Sequence, residues 1–75
     1  MIHLRQVESS MISHVGYDEG AEVLRIKFKR GDAEYAYKNV SMREFTSLMK
    51  AKSIGSHFHK HIKKAYVSAK IPQGE

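Results

Sequence analysis

Between Val23 and Lys29 the chain reads V-L-R-I-K-F-K, so Leu24, Ile26 and Phe28 fall on one side and Arg25, Lys27 and Lys29 on the other. A period of two marks a half-buried strand. Upstream, S-M-I-S-H-V-G-Y alternates less cleanly and runs into Tyr17-Asp18-Glu19-Gly20, a turn composition in which Gly20 offers positive φ. This predicts a strand over about 10–17. Arg30-Gly31-Asp32 supplies a second tight turn, after which A-E-Y-A-Y-K alternates again with Tyr35 and Tyr37 on one side. Three strands joined by short turns make an antiparallel meander.

The period then changes. Ser41-Met42-Arg43-Glu44 has the form of a capping box, with Val40 and Phe45 at the staple positions, and Met42, Phe45, Leu48 and Met49 continue an apolar helical stripe. A first helix is predicted over about 42–51. Ser53-Ile54-Gly55-Ser56 interrupts it, and Ile54, Phe58, Ile62 and Tyr66 recur every four residues, predicting a second helix over about 54–67. The fold class is therefore α+β, a three-stranded antiparallel meander followed by two helices packed on one face. The expected organisation is an N-terminal extension over 1–8, one domain over 9–69 and a flexible tail over 70–75.

Composition limits what such a chain does. A domain within 75 residues buries only about 60% of its unfolded surface, and without cysteine it has neither disulfides nor a thiolate zinc site to strengthen the core. A catalytic cleft needs more chain than this for its walls, so the expectation is a binding protein and not an enzyme. No segment approaches the apolar length of a signal peptide or a membrane span, which gives a cytoplasmic protein without membrane contact as the expectation.

Charge narrows the partner. The formal net charge is +5, with 13 Lys and Arg against 8 Asp and Glu. Through Glu34 five basic side chains face six acidic ones, whereas from Tyr35 onward eight face two. The excess thus belongs to the helical half, where Lys60, Lys63, Lys64 and His57 share one arc of the second helix and Lys50 and Lys52 flank its start. That start, with Gly55 permitting close backbone approach and Ser56 offering a donor, suits an anion; equally, Ser53 caps the helix and Gly55 allows tight packing.

Other motifs carry less. Tyr35 and Tyr37 project from one sheet face, where they either stack on unpaired bases or point into the core; the polar Glu34 and Lys38 on the alternate face favour the core. His57, His59 and His61 resemble a metal motif, but His59 points away from the other two on a helix and no carboxylate is near in sequence, so no metal or cofactor is expected. Ser53 or Ser56 with His57 lacks an orienting carboxylate, and Asp18, Glu19 and Asp32 read as turn and solubility residues.

Laid out in this order, the chain resembles the KTSC domain, a short module found at the carboxyl end of some lysyl-tRNA synthetases and as a free-standing bacterial and phage protein. The resemblance runs from about Ser9 to Tyr66. It rests on Ser9-Ser10, Gly16-Tyr17-Asp18, the Leu24 to Phe28 strand with Gly31, Tyr35-Ala36-Tyr37, and Ala51-x-Ser53-x-Gly55-x-x-Phe58 followed by Ile62-Lys63 and Tyr66. His59 stands where the family carries a small polar residue, and the prolines common around its first helix are absent here. The resemblance implies the fold unit and, through the synthetase, suggests RNA binding.

The functional expectation is a small non-catalytic module that binds nucleic acid, RNA before duplex DNA. Lys50, Lys52, Lys60, Lys63 and Lys64 would neutralise phosphates, Gly55 and Ser56 would present donors, and an exposed edge of Tyr37 would stack. The alternative is a protein-interaction domain, either a phage-type regulator of a host protein or a weak homodimer, in place of a monomer that binds nucleic acid.

Overall fold

The computed structural model describes residues 4–72, and residues 1–3 of the expected extension and 73–75 of the expected tail lie outside them. Five strands form one antiparallel sheet in chain order: β1 (Arg5–Gln6), β2 (Ile12–Asp18), β3 (Val23–Phe28), β4 (Glu34–Tyr37) and β5 (Ser68–Ile71). Helices α1 (Met42–Lys50) and α2 (Ile54–His61) intervene between β4 and β5. The α+β class holds, but the sheet has five strands where the pattern predicted three. β1 comes from the stretch expected as an extension, β5 straddles the expected end of the domain at 69 and the start of the tail, and β5 pairs along the whole of β4, with the Lys38 amide donating to the Val67 carbonyl just beyond.

Register explains the inward face. Val15, Ile26 and Tyr35 lie in one row across β2, β3 and β4, and Tyr17, Leu24 and Tyr37 in the next. Ile12 would point outward with His14 if β2 were regular. A bulge between the two shifts the pairing so that Ile12 faces Phe28, and Ile12 is fully buried. Arg25, Glu34 and Ala36 occupy the reverse face, where Arg25 Nη1 donates to Glu34 Oε2 at 2.8 Å.

The helices cover the inward face. Leu48 from α1, Phe58 from α2 and Ile62 just after it join Ile12, Val15, Leu24, Ile26, Tyr37 and Val40 in one core. Phe58 meets Phe28 and Tyr37 edge to face at centroid distances of 5.6 and 5.4 Å, and Phe45 stacks on Tyr17 at 4.6 Å. The Tyr17 hydroxyl donates to the Val40 carbonyl at 2.6 Å, tying β2 to the entry of α1.

Local chemistry sets the helix limits. Ser41 Oγ and Ser53 Oγ accept from the amides of Glu44 and Ser56, each at 3.2 Å, capping α1 and α2. The predicted box at Ser41 is realised on that side, while the Glu44 carboxylate turns to His57 Nε2 at 3.0 Å and joins the two helices. Helix α2 stops at His61, short of the predicted 67: the amides of Ile62 and Lys63 both donate to the Phe58 carbonyl, and turns lead into β5. At the β2–β3 turn the left-handed residue is Glu22 (φ 55), not Gly20; Gly31 (φ 72) holds that conformation in the next turn and Asn39 (φ 63) after β4.

Candidate nucleic-acid interface

The five predicted lysines are all exposed. Lys50 ends α1 and Lys52 lies between the helices, while Lys60 is on α2 and Lys63 and Lys64 follow it. The predicted arc is thus not one helical face: its last two lysines sit in turns, because α2 ends before them. Among the described residues Glu34 pairs with Arg25 and Glu44 is hydrogen-bonded to His57, and none of these five ammonium groups is neutralised by a carboxylate there.

Three predicted contacts are placed differently. Gly55 is buried, and a side chain there would meet Ser9 Oγ and Met11 Cγ at 3.1 Å each. The space left by its missing Cβ is taken up by the lead-in to β2 and not by α1. Ser56 is exposed in the first turn of α2, but its amide is already given to Ser53 Oγ. Tyr37 is only 4% exposed, with its ring against Phe58, so it does not offer an open stacking face. Burial, assisted by the neighbouring Tyr35, pushes its hydroxyl pKa up to about 12. The hydroxyl therefore stays protonated and neutral at physiological pH.

Tyr37 instead forms part of the wall of a groove of about 720 Å³ between the sheet and the chain that follows α2. Phe28 and Tyr35 complete an aromatic wall, their rings 5.9 Å apart and nearly perpendicular. Lys29 and Arg30, from the turn after β3, and Lys63 line the same groove, together with the hydroxyl-bearing Ser10 and Ser68. No carboxylate among the described residues lines it. Lys29 and Arg30 were missed in the sequence because they fall in its near-neutral half, and only the fold brings them to Lys63. The two tyrosines of the groove, Tyr35 and Tyr37, were legible as the Y-x-Y alternation.

The histidine run separates as its spacing predicts. His57 and His61 stand side by side at a centroid distance of 4.6 Å, and His57 holds the Glu44 carboxylate that lay far away in sequence. Even so, no group of three or more His, Cys, Asp or Glu among the described residues is arranged to hold a metal ion. No helix among them is long and apolar enough to cross a membrane.

Fold and site together define a small single-sheet α+β domain with one face covered by a helix pair and a cation-lined aromatic groove at one end of that interface. The sequence model of the KTSC domain matches residues 8–66, and the chain belongs to the KTSC domain family. Among solved structures it is similar to the crystal structure of the KTSC domain protein YPO2434 from Yersinia pestis. The two are 32% identical, the alignment covers 96% of this chain and 100% of that one, and the TM-score is 0.91. No curated protein matches.

Proposed function

We propose that the domain is a non-catalytic RNA-binding module whose contact surface is the basic region around the end of α2. The observation that carries this reading is the convergence of Lys29, Arg30 and Lys63 on an aromatic-walled groove with no carboxylate among its described lining, next to the exposed Lys60 and Lys64. Phosphates attract such cations, and aromatic rings accept unpaired bases without sequence preference. Lys50 and Lys52 extend the positive field toward the other end of α2. Binding of this kind is weak in isolation, steeply salt-dependent and indifferent to sequence.

Titration of labelled single-stranded RNA at two salt concentrations tests the reading, with affinity expected to fall as salt rises. Replacing Lys60, Lys63 and Lys64 together by Gln is expected to weaken binding and to reduce the salt slope by about 2 in a folded protein. Undetectable binding at low salt, or unchanged affinity in the triple variant, refutes it.

A second reading, a protein interaction or weak homodimer, draws on the sheet face away from the helices. There Gly16, Arg25, Ala36 and Ala69 form one row on the face opposite the helices, in which Ala69 is exposed and Arg25 partly so. Light scattering during size-exclusion chromatography tests the homodimer, which predicts a mass that rises with concentration.

A further inference from the structure

We propose that the groove beside Phe28, Tyr35 and Tyr37 is a site for one nucleotide, an unpaired base with its own phosphate, presented by the end of an RNA strand or by a free nucleotide. The proposal rests on the RNA-binding reading and names the ligand unit that the groove accepts. Its volume of about 720 Å³ falls within the range of roughly 300–1,000 Å³ that holds small molecules. A paired base is sealed inside its duplex and leaves an aromatic wall unused, whereas an unpaired base reaches it.

The ring geometry suits a third aromatic. Phe28 and Tyr35 meet at an interplanar angle of 76°, so a base laid flat on one ring meets the other at its edge. Offset stacking and edge contact are the arrangements that aromatic quadrupoles favour. Hydroxyls of the groove residues Tyr35, Tyr37, Ser10 and Ser68 both donate and accept, which suits the mixed donor and acceptor edge of a base.

The charge is arranged for a phosphate. Lys29, Arg30 and Lys63 reach the groove from two chain segments, and none of the three is in an ion pair among the described residues. A guanidinium adds a planar fork for two phosphate oxygens. With no carboxylate in the described lining, nothing there repels a dianion.

Amide chemical shifts of the full-length ¹⁵N-labelled chain test the proposal, using AMP, CMP, GMP and UMP, adenosine, inorganic phosphate, and a short oligoribonucleotide carrying a terminal phosphate. Mononucleotides are expected to shift Phe28 to Ala33, Tyr35 to Tyr37 and Lys63 to Ser68. Adenosine and inorganic phosphate are each expected to bind at least about tenfold more weakly than AMP, since each lacks half of the ligand. The surface double variant Arg30→Gln, Lys63→Gln is expected to lose about tenfold in mononucleotide affinity. Tyr35→Leu is expected to lose the base contact and Tyr35→Phe to restore it, which separates stacking from the fold.

Groove residues that stay silent with every mononucleotide overturn the site. So does inorganic phosphate binding as tightly as AMP, since that is anion capture only. Oligoribonucleotide shifts confined to Lys60 and Lys64, with a silent groove, overturn the nucleotide site and leave the RNA-binding reading intact. Mononucleotide shifts in the groove without any oligoribonucleotide binding support the site for free nucleotides and overturn the RNA-binding reading.

Discussion

Gly55→Ala distinguishes a packing glycine from a phosphate-contacting one, and its size can be worked out from the neighbours. Alanine in a helix gains up to about 1 kcal/mol over glycine. Against this, the new Cβ would lie 3.1 Å from both Met11 Cγ and Ser9 Oγ. Met11 is 43% exposed and swings aside at little cost. Ser9 is less free, because its Oγ accepts from the amides of Met11 and Ile12, each at 3.3 Å, where the chain enters β2. Those bonds are long and partly exposed, so displacing them costs about 0.5 kcal/mol each, about 1 kcal/mol together. Gain and cost cancel, and Gly55→Ala alone is expected to leave stability within about 0.5 kcal/mol of the parent. In a Ser9→Ala background the obstructing oxygen is gone and the same change is expected to stabilise by about 1 kcal/mol. Urea denaturation followed by circular dichroism reads this coupling as a midpoint shift of about 1 M, taking a slope of about 1 kcal/mol/M for so small a domain. Additivity within about 0.3 kcal/mol refutes the reasoning. RNA affinity of the Gly55→Ala variant is expected to match that of the parent, and a loss of affinity at unchanged stability would return Gly55 to the interface.

Three further expectations follow from the core and the turns. The Tyr37 hydroxyl has its pKa raised from 10.0 to about 12, so its contribution is complete below about pH 10 and lost as pH rises through 12. Between those limits the parent should lose about 2 kcal/mol more than Tyr37→Phe in urea melts, and parallel losses would refute the burial argument. Phe58→Ala removes the ring that two aromatic neighbours pack against and should cost about 3–5 kcal/mol, against about 4–11 kcal/mol in total for a domain of this length. Its thermal transition should broaden or vanish, and a melting temperature within a few degrees of the parent would refute the central role of the ring. Glu22 holds φ 55 at a position that suits Asn better, so Glu22→Asn should raise stability by about 0.5–1 kcal/mol; an unchanged calorimetric midpoint would count against strain there.

The elements legible in the sequence were those whose burial repeats with the backbone period. β3 alternates because one side meets the helices, and Ser41 and Ser53 cap because short side-chain oxygens reach the third following amide. β2 read as irregular because its bulge turns Ile12 inward against the alternation. In the second helix the four-residue repeat identified buried positions correctly, but Ile62 and Tyr66 reach the core from turns beyond His61. Such a repeat records burial, not the hydrogen bonds that would continue a helix. β5 had no pattern to find: Ser68, Ala69 and Lys70 are exposed, and the strand exists because the outer edge of β4 needs backbone partners. The groove was legible by halves, with its tyrosines visible and its cations spread between a turn after β3 and the chain after α2.

The late arrival of β5 sets an order of assembly. β2, β3 and β4 pair with near neighbours in the chain, whereas Glu34 must wait for Ile71, on the far side of both helices. Closing so long a loop costs more entropy than closing a hairpin, and its contacts come late in folding. The last strand to dock at an edge is also the first to leave, so its amides should exchange with solvent through local opening while β3 waits for global unfolding. Ser68, on that strand, lines the groove. One side of the groove is therefore expected to open and close with an edge strand of the sheet, and its occupancy and the docking of that strand become two readings of one equilibrium.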